Sequence, residues 1–275
     1  MEKTQNLKFE SPSFTKRLKG MLSVDFYRLF HTPLFYIFLV IAAIIPAMIL
    51  GMTSMENAEG EIIKLYENTW EVIAAGKPLY AVSDIAEYAN MNMVFIFGGI
   101  MVSIFIGHDY KSGYVKQLFT THAKKQDYMI SKSLLGAFSM ACMCITYLLG
   151  TVLAGAFVGA DFSVNAGSLI IAIFGKMIMS AGWASLYTML NIIFRKYFGI
   201  SIASSFFFGT GVIIVGLGAI VGNSPILNVF LYGSSVNACL SANMFTLLTC
   251  IVVSFAWAVI YNIVGSIILY RSDVY

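Results

Sequence analysis

The chain has 275 residues, of which 59% are hydrophobic and 11% charged, and 17 basic against 14 acidic side chains leave a net charge of +3. A water-soluble domain is about 25% charged, so this composition cannot cover a soluble fold of such length. Disorder, a disulfide scaffold and an ordinary soluble enzyme are excluded, and the lipid bilayer is the expected solvent.

The first 33 residues are polar and basic and show no cleavable signal pattern. Within them, residues 14–31 place Phe14, Leu18, Met21, Leu22 and Leu29 at helical spacing, accompanied by Lys16, Arg17, Lys19 and Arg28. That pattern predicts an amphipathic elbow helix lying on a membrane surface. Six spans of about 20 apolar residues follow at Leu34–Gly51, Met91–Gly107, Ser133–Gly159, Phe174–Phe194, Tyr197–Val221 and Phe245–Tyr270. Continuous runs such as 37–50 fit helices rather than barrel strands. Pro46 is expected to kink the first span.

Between the first two spans, residues 52–90 are acidic and carry Ile62, Leu65, Tyr66, Trp70 and Ile73 at helical spacing. A solvated helical segment is expected there. Residues 108–132 carry Lys111, Lys116, Lys124, Lys125 and Lys132, while Arg195 and Lys196 form a basic turn and Arg271 ends the last span. Of the 17 basic residues, 14 fall on alternate connections, whereas the intervening segments hold eight acids and only Lys64, Lys77 and Lys176. By the positive-inside rule both termini are cytoplasmic and the span number is even.

Lys176 interrupts an apolar run. Its expected place is the outer interface, where its stem snorkels to water; a cation lining a substrate path is the alternative. Residues 222–244 have no charge yet remain moderately apolar, which predicts a re-entrant or half-buried outer segment. Small-residue pairs at Gly155/Gly159 and Gly218/Gly222 predict close helix packing. The four cysteines (Cys142, Cys144, Cys239, Cys250) do not suggest a disulfide framework.

Several chemistries have no signature. GxSxG, HExxH and a complete Walker A loop do not occur, and no Asp or Glu lies in any predicted span. Without a midplane carboxylate a secondary carrier is disfavoured. A membrane-embedded enzyme or regulator rests only on the His108–Asp109 pair and Lys176. Any energy for transport is expected from another subunit.

The segment 108–132 combines a break at Gly113, an apolar patch at Val115, Leu118 and Phe119, and the basic flank Lys124–Lys125. Such an element suits docking on another protein or on anionic headgroups. In this layout the whole chain resembles the permease subunits of type-2 ABC exporters. Asp109 stands at the family's acidic position, Ser112–Gly113 near its Gly-Thr pair, Lys116 at its base, Leu118–Phe119 at its apolar pair and Lys132 at its closing lysine. Residues 121–125 (THAKK) depart from the usual Pro-x-Ser-Arg stretch.

The resemblance implies an all-α membrane protein with an elbow helix, six spans and a re-entrant stretch before the last. It implies coupling to an ATPase through Asp109, Tyr110, Ser112, Gly113, Lys116, Leu118, Phe119, Lys124 and Lys125. It also implies a path lined by the second and fifth spans, with Phe97, Met101, Phe207 and Gly211, and Phe230 and Tyr232 from the outer segment, as candidates. No cofactor is expected on this chain, with ATP and magnesium belonging to a dimeric ATP-binding partner. A second permease subunit, identical or not, and the lipid bilayer complete the expected partners; nucleic acid is not among them. The expected location is a bacterial plasma membrane, and the narrower likeness is to transporters of peptides or lantibiotics.

Overall fold

The computed structural model describes residues 12–52, 54–56, 62–64, 92–120, 123–159, 161–221, 225–240 and 243–272. The first described helix is α1 (Phe14–Phe30), whose buried residues Met21, Asp25 and Leu29 recur every four positions and so share one face. Pro33 opens α2 (Pro33–Met52), where its missing N–H would be unpaired in any case. The two helices meet at a 65° bend.

Then come α3 (Met93–Lys111), the short α4 (Tyr114–Thr120), α5 (Lys125–Val158) and α6 (Ala166–Ile193). They are followed by α7 (Phe198–Gly209), α8 (Val212–Val221), a 3-10 turn (Pro225–Val229), α9 (Leu231–Leu240) and α10 (Met244–Arg271). Among the described residues, α3, α5, α6 and α10 are each long and apolar enough to cross a membrane. Counting each of the bent pairs α1–α2 and α7–α8 as one span raises the number to six. These apolar helices are compatible with a multi-pass membrane protein. Their outward stripes are apolar too: Ile37, Val40 and Ile44 on α2, and Val252, Phe255 and Val259 on α10, are all exposed.

Helix α6 is the central element, packed along α10, α5 and α3. Trp183 on α6 stacks between Phe95 of α3 and Tyr187, at centroid distances of 5.5 and 5.6 Å. Polar side chains tie the helices where lipid would offer them no hydrophobic drive to associate. Ser103 of α3 and Ser205 of α7 share a 2.8 Å hydrogen bond, and Asn191 of α6 donates to Ser103 at 2.9 Å. Between α6 and α10, the Gly182 N–H donates to Ser254 Oγ, which in turn donates to the Ile178 carbonyl. Asn262 of α10 donates to Ser185 of α6 and accepts from Ser133 of α5.

Three expectations change. The predicted fifth span is divided, with α7 and α8 meeting at 41°. Gly211 at the break has φ +66, and any Cβ there would meet the Tyr232 ring at 2.3 Å. Only glycine satisfies both constraints. The Gly155/Gly159 pair is not a packing seam at its second position: Gly159 is the left-handed C-cap of α5 and has open space around it. The close approach falls instead at Gly150, where a Cβ would lie 2.3 Å from the Ala43 carbonyl oxygen on α2.

In the acidic segment 52–90, the described residues Ser54–Glu56 and Ile62–Lys64 form a short antiparallel pair rather than a helix. Two consecutive β-branched residues, Ile62 and Ile63, suit a strand. Leu65, Tyr66, Trp70 and Ile73 lie outside the described residues.

The Gly150 contact is directly testable. Gly150→Ala pushes α2 from α5 and is expected to cost about 1–3 kcal/mol. Gly20→Ala on the open side of α1, with nothing within 4 Å, is expected to leave the unfolding midpoint in detergent unchanged or raise it. Equal midpoints for the two variants would contradict the close approach.

Candidate functional site

The candidate site is the end of the bundle where α3 turns into α4 and α5 begins. Asp109 occupies the last turn of α3, and Ser112 caps that helix through its backbone N–H, which donates to the His108 carbonyl at 2.9 Å. Gly113 then takes φ +75, a left-handed conformation that ends α3 and redirects the chain into α4.

Beneath this corner lies a closed cluster of two acids and two bases. Lys132 Nζ is 2.6 Å from Asp25 Oδ1 and 2.7 Å from Asp109 Oδ2. Arg28 Nη2 reaches Asp109 Oδ1 at 2.5 Å. Ser131 donates to the free oxygen of Asp25 at 2.7 Å, and the Tyr128 hydroxyl donates to Asp109 at 3.2 Å. The Asp25, Asp109 and Lys132 side chains have no solvent exposure. Phe105 and Tyr114 offer ring faces to both cations, with Tyr114 4.4 Å from the Arg28 guanidinium. A second clasp, Arg17 Nε to Asp127 Oδ2 at 2.7 Å, again joins α1 to α5.

Titration follows this geometry. Burial opposes the Arg28 charge, but the hydrogen bond and charge of Asp109, with the charge of Asp25, outweigh it and raise its pKa. Burial and the nearby Asp25 charge likewise raise the Tyr114 phenol. Arg28 is therefore a fixed cation and Tyr114 a neutral ring at any physiological pH.

The other predicted coupling residues divide by exposure. Lys116, Ser112 and Lys124 are exposed, and Tyr110 is half-buried. The patch Val115, Leu118 and Phe119 is not presented outward, as its position in a short connecting segment suggests. Val115 is buried against Met21, Tyr128, Met129, Ile192 and Leu269, with Leu118 and Phe119 packed on the same cluster. Phe119 meets the Tyr128 ring edge-on at 5.8 Å. Apolar surface so close to the bundle is removed from water by seating α4 on it. The face left outward is Lys111, Ser112, Lys116, Gln117 and Thr120. Lys125 donates to the Tyr270 and Ser272 carbonyls, closing the end of α10.

Of the candidate path residues, Phe207, Gly211, Phe230 and Tyr232 line one cavity of about 230 Å³. It is formed by the α7–α8 break, the 3-10 turn and α9, with Trp183, Trp257 and Tyr261 completing its aromatic wall. Met101 lies elsewhere, buried beside Leu29 and Lys132. Phe97 packs on the main core.

Lys176 does not snorkel. It is fully buried, and its ammonium donates to Asn92 Oδ1 and the Ser235 carbonyl with the Phe95 ring 5.8 Å away. Protein oxygens replace water around it. Ser235 also accepts from Trp183 Nε1 at 3.0 Å, which connects this cation to the aromatic cavity wall.

Sequence reasoning missed Asp25. The available signal was its spacing: an acid four residues from both Met21 and Leu29 lies on the apolar face of a basic helix, where only a buried cation can accommodate it. Among the described residues no three His, Cys, Asp or Glu side chains are grouped to hold a metal ion. No family model and no curated protein matches the sequence.

The charge cluster is expected to behave as a unit. Lys132→Met leaves two buried carboxylates facing one arginine and is expected to cost about 3–5 kcal/mol. Asp25→Asn combined with Lys132→Met restores balance around the Arg28–Asp109 pair and is expected to be more stable than Lys132→Met alone. Urea or thermal unfolding in detergent reads the difference, and simple additivity of the two changes would refute a coupled cluster.

Proposed function

We propose that this chain is the membrane-spanning permease subunit of an ATP-driven ABC exporter, with ATP and magnesium bound by a separate dimeric partner. In this reading both termini face the cytoplasm, α1 is the elbow helix, and a second permease subunit completes the translocation unit in a bacterial plasma membrane. The observation that carries it is the α3–α4 corner. A short helix with an outward face of Lys111, Ser112, Lys116 and Gln117 is mounted through Asp109 on a charge cluster shared by α1, α3 and α5.

The mechanics follow from the attachments. Closure of the ATP-binding subunits displaces α4. Its apolar seat includes Met21 of α1, Met129 of α5, Ile192 of α6 and Leu269 of α10, so four helices share the displacement. Through Asp109 the movement enters α3, and the Ser103–Ser205 bond carries it to α7. The break at Gly211 then lets α7 and α8 pivot beside the aromatic cavity. The 3-10 turn and α9 serve as the re-entrant segment. A wall of Trp, Tyr and Phe suits an amphipathic or peptide-like cargo.

A catalytic role for the His108–Asp109 pair is disfavoured, because Asp109 is consumed by Arg28, Lys132 and Tyr128 while His108 points to the exposed side.

Purification from native membranes in mild detergent is expected to bring down a magnesium-dependent ATPase. Lys111→Glu with Lys116→Glu is expected to lower its recovery about tenfold or more. Gly113→Pro cannot adopt φ +75 and is expected to abolish ATP-dependent transport while membrane insertion persists. Recovery of the chain from crosslinked membranes with no ATPase would overturn the proposal.

A further inference from the structure

We propose that the groove between the start of α5 and the last half of α10 binds one anionic glycerophospholipid of the leaflet at the basic end. The groove encloses about 1000 Å³. Its floor is apolar along its length: Val259, Ile263 and Ile267 repeat every four residues on α10, are 55%, 55% and 48% exposed, and face Ile130 on α5. Its end is cationic, with Lys124, Lys125 and Arg271 on the lining.

The cations differ in availability. Lys125 is committed to the carbonyls that end α10. The Lys124 and Arg271 side chains are exposed and make no hydrogen bond or ion pair among the described residues. Among the described residues the groove lining contains no carboxylate, and the neighbouring Asp127 is neutralised by Arg17. Asn262, the amide on the wall, is already bonded to Ser133 and Ser185. An occupant is thus offered charge at one end and hydrocarbon elsewhere.

Length selects a lipid over a peptide or a small anion. From Ala258 to Arg271 the groove follows α10 for about 20 Å at 1.5 Å per residue. One leaflet of a bilayer, hydrocarbon plus headgroup, is also about 20 Å thick. A phosphate placed between Lys124 and Arg271 puts its acyl chains alongside Ile267, Ile263 and Val259. Tyr270, 79% exposed at the charged end, lies where interfacial aromatics concentrate. This inference needs only that the helices span a bilayer, so it stands apart from any coupling to an ATPase.

The test is lipid retention. The full chain is reconstituted in phosphatidylcholine vesicles containing a minority of phosphatidylglycerol, extracted gently, and its bound lipids counted by native mass spectrometry. The wild type is expected to retain phosphatidylglycerol in preference to phosphatidylcholine. Lys124→Gln with Arg271→Gln removes two headgroup cations and is expected to lower that preference about thirtyfold. Ile263→Trp fills the groove with charge unchanged and is expected to displace the lipid. Lys16→Gln with Lys19→Gln, on α1, is expected to retain the wild-type preference.

Unchanged retention in either groove variant, or an equal loss in the α1 variant, would overturn the site. So would crosslinking that places a second copy of the chain against Ile263. If Ile263→Trp fails to fold, the charge variant alone decides.

Discussion

The structure depends on a balance of four clustered charges, of which Asp25, Asp109 and Lys132 are fully buried and Arg28 partly so. Asp25, Arg28, Asp109 and Lys132 come from three helices and pair with one another, with Ser131 and Tyr128 donating to the two carboxylates. Removing an ion from water costs several kcal/mol even after relaxation, so the cluster adds little net stability. Its effect is on geometry. Asp109 meets Arg28 and Lys132 together only when α1 lies in one register against α3 and α5. An amphipathic helix held by apolar contacts alone could slide along the bundle; one that buries Asp25 cannot, because sliding leaves a carboxylate unpaired.

The remaining contacts divide the work by helix pair. Where two backbones come close, a glycine makes room, as Gly150 does for Ala43 of α2. Where side chains separate the helices, small polar groups bond across, as at Ser103–Ser205 and Ser185–Asn262. Lipid tails are as apolar as leucine, so packing and hydrogen bonds supply the specificity that water would otherwise enforce. Against this, the region around Gly211 is held mainly by an aromatic cavity wall. The bundle is thus specified by charge pairs at one end and by aromatic packing at the α7–α8 break.

Much of the layout was legible in the sequence, because hydrocarbon demands long apolar runs and punishes charge within them. Most predicted spans meet observed helices, with boundaries differing because helices continue past the apolar stretch: α5 begins at Lys125, eight residues before the predicted span. What hydropathy cannot convey is direction around a helix. Leu118 and Phe119 have the composition of a docking patch, yet tertiary packing turns them inward. Lys176 has the composition of an interfacial cation, yet Asn92 and Ser235 draw it inward. The gathering of Phe207, Gly211, Phe230 and Tyr232 in one cavity depends on a backbone break that the glycine content suggested without locating. Met101 and Phe97, from the predicted second span, pack in the main core and do not line that cavity.

The scarcity of charge has a final consequence at the basic end. Asp25, Asp109 and Asp127 are buried against Lys132, Arg28 and Arg17. Those pairings remove from the surface every described acid at that end while consuming only three cations. Lys16, Lys19, Lys111, Lys116, Lys124 and Arg271 remain exposed. Among the described residues, internal neutralisation therefore leaves a basic surface at this end. Such a surface is suited to anionic headgroups around its edge and to an acidic protein groove at its α4 corner. The two proposed roles do not compete, because the α5–α10 groove and the outward face of α4 use different basic residues.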